Sequence, residues 1–116
     1  MLLEENGLIV IVSSDAAESA YPEWGPYGAS KAAADHLFSI WQEELRSHSI
    51  RFFALDPGDM NTVMHRDALP DADTGDLQNP STVAKKMVTF LSRPPATDRV
   101  RYDSASWQDF ADREAT

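Results

Sequence analysis

Five consecutive apolar residues, Leu8-Ile9-Val10-Ile11-Val12, stand between Gly7 and Ser13-Ser14-Asp15. The run is β-branched and does not alternate with polar residues. Continuous apolarity over so short a length predicts a strand covered on both faces, as in a parallel sheet packed between helices. A second run, Ile50 to Leu55, repeats the pattern and stops at Asp56-Pro57-Gly58-Asp59, which cannot continue a strand. Between the two, Ser19 to Pro26 reads as a loop and the chain turns helical from Tyr27. Ala33, Leu37, Trp41 and Leu45 recur at helical spacing, with Ala34, Phe38 and Ile40 beside them. This stripe is expected against the sheet, with Asp35, Gln42, Glu43, Arg46 and Ser47 on the opposite side and the helix fading near Ser47-His48.

The remaining chain is punctuated less regularly. Met60 to Gln78 has no sustained period and is rich in aspartate, which predicts a long surface loop with at most a short helix. Asn79-Pro80 is an N-cap followed by a first-turn proline. Val83, Met87, Val88, Phe90 and Leu91 give the helix that follows an apolar face, and Arg93-Pro94-Pro95 ends it. Arg99 to Tyr102 suits a short edge strand, and the tail to Thr116 is polar apart from Trp107 and Phe110. Strand, helix, strand, helix in this order predicts an α/β fold with a doubly wound parallel sheet and right-handed crossovers.

Length and charge narrow the function. The 116 residues make one domain, residues 1–116. Nineteen acidic against 10 basic residues give a net charge of −9, which argues against nucleic acid or an anionic membrane as partner. There is no cysteine, so neither disulfides nor thiolate metal sites are expected. No His/Asp/Glu set has ligand spacing, so no metal is expected. The acidic stretch from Asp67 to Asp76 lacks the closer alternation of a Ca²⁺ loop. His36 and His48 read as helix-surface residues. The longest apolar run is too short to cross a membrane. The opening MLLEENG lacks the basic flank and apolar core of a secretory leader, so a cytoplasmic setting is expected.

In an open parallel sheet, ligands bind at the C-terminal ends of the strands. Ser13, Ser14 and Asp15 end the first strand, and Asp56 to Asp59 end the second. Tyr27 and Lys31 are four residues apart and share a helix face, so phenol and ammonium converge near the strand ends. A free tyrosine has a pKa of about 10, and a neighbouring ammonium favours its phenolate. Tyr27 can then exchange a proton with an alcohol or carbonyl oxygen. A serine hydroxyl opposite can hold that oxygen, and the matching hydride requires a cofactor.

Ser14, Tyr27-Gly-Ala-Ser-Lys31 and the turn Asp56-Pro57-Gly58-Asp-Met-Asn-Thr62, in this order, resemble the short-chain dehydrogenase/reductase family over roughly residues 5–92. The resemblance implies the second, catalytic half of a Rossmann-like fold, followed by a divergent tail at 93–116. It implies NAD(P)-dependent oxidation of an alcohol or reduction of a carbonyl in a small-molecule substrate. By resemblance Ser14 positions the substrate oxygen and Tyr27 is the general acid/base. Lys31 lowers the tyrosine pKa and bonds the nicotinamide ribose. Pro57, Gly58 and Thr62 line the nicotinamide side. Residues 63–77 become the substrate-covering loop, with Met64, His65 and Leu69 touching substrate. Trp24 is open between a packing role and a place in the substrate wall.

The family's Gly-rich pyrophosphate turn has no counterpart here, since the five glycines, at 7, 25, 28, 58 and 75, form no G-x-G. The residue that selects NAD or NADP is absent with it. A chain holding only the second half leaves its first strand with an open apolar edge. A homo-oligomer or a complementing chain is therefore expected. Three forms remain open: a truncated oxidoreductase, a non-enzymatic remnant binding through its uncovered sheet, and a split enzyme completed by a separate chain.

Overall fold

The computed structural model describes residues 7–115. The first six residues, on which the leader and part of the 5–92 match were read, lie outside the described residues. Strand β1 (Leu8–Val12) pairs in parallel with β2 (Arg51–Leu55), joining Leu8 to Arg51 and Val12 to Leu55. Strand β3 (Arg101–Tyr102) pairs in parallel with the far side of β2, giving the order β1-β2-β3. Helix α1 (Gly25–Glu44) links β1 to β2. Helices α2 (Val63–Ala68), α3 (Pro80–Ser92) and α4 (Ser104–Glu114) follow in the second half.

The sheet has a helix layer on each face, and side-chain alternation sorts its residues between them. Ile9, Ile11, Phe52 and Ala54 pack with Phe38, Leu45, Ile50 and Val100 on the α1 side. Val10, Phe53 and Leu55 pack with Val83, Phe90, Tyr102, Trp107 and Ala111 on the side of α3 and α4. Phe90 is the hub of this second core, meeting Phe53, Tyr102, Trp107 and Phe110 with ring centroids 5.3 to 6.0 Å apart. Asn79 caps α3 through its side chain to the Ser81 N–H, and Pro80 occupies the first turn, as the sequence predicts. The polar tail folds into α4, capped by Asp103, with Trp107 fully buried. Val88 is the exception on α3, being 66% exposed.

Two expectations are corrected. The burial expected of β1 on both faces holds only in its middle, where Ile9 and Ile11 pack on one face and Val10 on the other; Leu8 is 38% and Val12 45% exposed, and β1 is an edge strand among the described residues. The open apolar edge itself is as expected. The second correction concerns α1. The side turned to the sheet is Asp35, Phe38, Gln42 and Leu45, while Ala33, Leu37, Ile40 and Trp41 face outward to varying degrees. Gln42 tolerates this burial because both ends of its amide are bonded, and Asp35 because one of its two oxygens is. Gln42 Oε1 accepts from the Phe52 N–H at 3.1 Å and its Nε2 donates to the Asp98 carbonyl at 2.5 Å. Asp35 Oδ2 accepts from Ser13 Oγ at 2.8 Å and from Arg101 Nε at 2.9 Å.

Candidate active site

Ser14 directly follows β1 and Ser13, whose N–H donates to the Leu55 carbonyl at 2.8 Å. Its Oγ accepts from the Ala16 N–H at 3.1 Å, capping a single 3₁₀ turn at Asp15–Ala17. Its carbonyl accepts from Ala17 N–H at 3.1 Å and from Arg101 Nη2 at 2.8 Å. Backbone and side chain of Ser14 are thus both fixed. Arg101 pairs with Ala54 across the sheet, and the fully buried alanine leaves room for the guanidinium to pass over β2 towards β1.

Tyr27 lies in the first turn of α1, and the next residue explains how the helix reaches Ser14. A Cβ on Gly28 would stand 2.8 Å from the Ala16 carbonyl oxygen. Only a glycine lets the helix start sit so close to the 3₁₀ turn. One turn further on, Lys31 Nζ donates to the Val12 carbonyl at 2.9 Å and lies 5.7 Å from the centre of the Tyr27 ring. Tyr27 and Lys31 thus stand on one face of α1 at the strand end and border the same cavity.

At the end of β2, Asp56 Oδ1 accepts from the Gly58 N–H at 2.9 Å, closing a turn in which Gly58 has φ +76°. The turn is clamped from behind. Gln78 Nε2 and Gln108 Nε2 donate to the Pro57 carbonyl at 2.8 and 3.0 Å, and Trp107 Nε1 donates to the Asp56 carbonyl at 2.6 Å. A Cβ on Gly58 would strike Gln78 Nε2 at 2.6 Å and Ser104 Oγ at 2.8 Å, so the clamp itself demands glycine. Thr62 Oγ1 caps α2 through the His65 N–H at 3.1 Å. The loop carrying α2 is pinned at its neck, where Asn61 N–H donates to the Gln78 carbonyl and Gln78 N–H to the Asp59 carbonyl.

These elements enclose two adjoining cavities. The larger, of about 560 Å³, is bounded by Ser14, Tyr27, Trp24 and the α2 residues Met64 and His65, with Leu69 just beyond. The smaller, of about 150 Å³, is bounded by Ser14, Tyr27, Lys31, Pro57, Gly58 and Thr62. Each candidate catalytic, cofactor or substrate residue from the sequence therefore reaches one cavity or the other, and Ser14, Tyr27 and Met64 reach both. Trp24 is a wall residue that also meets Tyr27 edge to face, centroids 5.6 Å apart. His65 Nδ1 is buried with no partner among the described residues.

The surroundings are negative. Burial pushes the Asp56 carboxyl above the ordinary carboxylate range; the Gly58 N–H opposes this, and the Asp15 charge adds to it. The hydrogen bond to Asp15, at 2.5 Å, raises the Tyr21 phenol. Asp35, Arg101, Gln78, Trp107 and Gln108 were not singled out in the sequence as frame residues, because their partners are remote along the chain. The one visible signal was Trp107, a large aromatic in an otherwise polar tail.

The sequence model described as short chain dehydrogenase matches residues 1–73. The chain belongs to the short chain dehydrogenase family. An uncharacterised oxidoreductase of Saccharomyces cerevisiae is 40% identical over 63 residues, 54% of this chain and 24% of the yeast protein. The uncharacterised oxidoreductase YciK of Escherichia coli is 28% identical over 83 residues, 72% of this chain and 32% of YciK. Among solved structures, a short chain dehydrogenase from Salmonella enterica superposes with a TM-score of 0.76 at 24% identity, over 89% of this chain and 43% of that one. A Shigella flexneri short chain dehydrogenase complexed with NADP superposes at 0.73, also at 24% identity, over 90% and 44%. At that identity the likeness is one of fold. This chain spans a quarter to a third of these curated relatives and under half of the solved ones.

Family members typically use NAD(P), and the donors present fit one end of it. The small cavity pairs a cation, a phenol and a glycine turn, a set suited to a nicotinamide and its ribose. The 116 residues contain no G-x-G to receive a pyrophosphate.

Proposed function

We propose that this chain carries the catalytic half of an NAD(P)-dependent oxidoreductase that interconverts an alcohol and a carbonyl in a small molecule. The observation behind this reading is that Ser14 and Tyr27 line both cavities while Lys31, Pro57, Gly58 and Thr62 line the smaller one alone. The substrate oxygen then sits between the serine hydroxyl and the phenol. In the reducing direction Tyr27 gives its proton to that oxygen, and in the oxidising direction it takes one back. Ser14 Oγ reaches Asp15 only at 3.4 Å, a long bond its proton gives up readily to a substrate oxygen. A bound nicotinamide supplies or accepts the hydride. Lys31, held near Tyr27, binds the ribose and keeps positive charge beside the phenol. Met64, His65 and Leu69 of the pinned loop cover the substrate.

The pyrophosphate and adenosine ends of the dinucleotide are assigned in this reading to residues outside these 116, in the same polypeptide or another chain. A second form of the reading, favoured by the open edge of β1 and the outward Leu37, Ile40 and Trp41, is a self-association or complementing chain that covers them. A remnant that only binds such a partner is its non-enzymatic limit. A cytoplasmic setting belongs to the proposal; among the described residues no helix is long and apolar enough to cross a membrane.

Titration of the chain with NADH and NADPH, alone and with a candidate completing chain, tests this. Tight binding by the chain alone would show that the Gly-rich half is dispensable. Activity only with the added chain supports the split form. In any active form Tyr27→Phe should abolish turnover with the fold intact, and full activity in that variant would refute the acid/base role. Sedimentation as a clean monomer at micromolar concentration would refute self-association.

A further inference from the structure

The larger cavity has a composition that bears on substrate class. Its walls are aromatic and aliphatic: Tyr21, Trp24 and Tyr27 on one side, Met64 and Leu69 on the other. Two carboxylates, Asp15 and Asp59, complete the lining, and neither Lys nor Arg is among the residues that form it. Lys31 lines only the adjoining smaller cavity, which Asp15 and Asp59 also border, and its Nζ is engaged there by the Val12 carbonyl. Arg101, which reaches the Ser14 carbonyl from beneath, is spent on Asp35, Glu18 and that carbonyl.

We infer that this cavity selects alcohols and ketones with an apolar, ring-sized body and no negative charge, and that Asp15 and Asp59 exclude carboxylate- or phosphate-bearing substrates. The inference rests on the oxidoreductase reading for where the reacting oxygen sits. The apolar walls gain by covering hydrocarbon, and about 560 Å³ holds a ring with a short substituent. An anionic substituent in the same space meets two like charges with no lining cation to offset them. The field is felt by neighbouring groups in the same sense: both Asp15 and Asp59 oppose ionisation of Tyr21 and of Asp56.

Three ketones of one shape separate these effects: acetophenone, 4-(aminomethyl)acetophenone and 4-acetylbenzoate. Each is titrated into the ¹⁵N-labelled full chain at pH 8 and low salt, following the Trp24 indole and Ser14 amide signals. The neutral and cationic ketones should both shift these signals, with 4-acetylbenzoate at least about tenfold weaker. Raising the salt to 0.5 M should shrink that gap. Asp59→Asn should narrow it, and adding Asp15→Asn should close it. Equal or tighter binding of 4-acetylbenzoate, a gap that survives both substitutions, or no binding of any ketone would overturn the inference. The readout is independent of turnover. If the ranking holds while Tyr27→Phe remains active, the acid/base reading fails and the selection stands. If Tyr27→Phe is inactive and all three ketones bind alike, the selection fails and the acid/base reading stands.

Discussion

Arg101 and Asp35 offer the sharpest test of how the site is held. The guanidinium, 17% exposed, donates through Nε to Asp35, 11% exposed, at 2.9 Å, and through Nη2 to the Ser14 carbonyl at 2.8 Å. Asp35 Oδ2 also takes the Ser13 hydroxyl, whereas its Oδ1 has no partner among the described residues. Arg101→Met leaves a buried carboxylate with a single neutral donor. Removing one partner of a buried pair costs about 3–5 kcal/mol. The lower end, about 3 kcal/mol, applies here, because Ser13 still bonds Asp35. At roughly 4 °C per kcal/mol for a chain of this size, the melting point should fall by about 12 °C. Asp35→Leu should cost a similar amount, as Arg101 keeps only the exposed Glu18 at 3.4 Å and the Ser14 carbonyl. The double variant Asp35→Leu/Arg101→Met should be less harmed than either single one, since apolar replacement of a whole buried pair is often neutral. Urea unfolding followed by tryptophan fluorescence measures all four proteins, with the m-value checked for constancy. If Arg101→Met costs under about 1 kcal/mol, or the two single losses simply add in the double variant, the pair is not a coupled buried unit and the reasoning fails.

Other substitutions probe the remaining frame. Gly28→Ala places a Cβ against the Ala16 carbonyl, so it should separate Ser14 from Tyr27 and lower stability by about 1–3 kcal/mol, the range for overpacking; unchanged melting would show that the turn yields freely. Asp56→Asn keeps an Oδ1 acceptor for Gly58 and removes a carboxylate that burial holds above its ordinary range. The raised carboxyl binds its proton more tightly when folded, so it penalises the native protein above its native pKa and not at low pH. The asparagine variant should therefore equal or exceed the parent near pH 7, and the advantage should vanish as pH falls towards about 4. Asp103 behaves oppositely: the Ser106 N–H holds its carboxylate below the ordinary range. Its contribution is present above about pH 4 and lost as pH falls through the lowered native value. Asp103→Ala should cost about 1 kcal/mol at neutral pH through loss of the α4 cap, and little in strong acid, as a pH series of unfolding curves would reveal.

The strands, the Asn79-Pro80 helix start and the strand-end placement of Ser14, Tyr27, Lys31 and Gly58 were legible because each depends on local pattern. Apolar runs, a capping side chain, helical spacing and a Pro-Gly stop are written within a few residues. The orientation of α1 was not. Asp35 and Gln42 read as solvent-facing because isolated polar residues belong outside, yet both are buried by partners far along the chain: Arg101 for one, the Asp98 carbonyl and Phe52 N–H for the other. The burial expected of β1 was met only at Ile9 to Ile11, since apolarity reports what a strand suits and not how far neighbouring elements extend over its ends. In the tail, Trp107 and Phe110 hinted at packing, but only the fold reveals that Trp107 seats on the Asp56 carbonyl.

The family match ends at residue 73, whereas the donors that clamp the Pro57-Gly58 turn are Gln78, Trp107 and Gln108. A chain cut at the end of that match would keep Ser14, Tyr27, Lys31 and Gly58 and lose the props beneath the floor on which the nicotinamide is proposed to rest. Residues beyond the end of the sequence-model match are thus the scaffold of a turn that lies within it. On the proposed reading, substitutions at Gln78 or Gln108 that loosen this clamp should weaken the grip on dinucleotide.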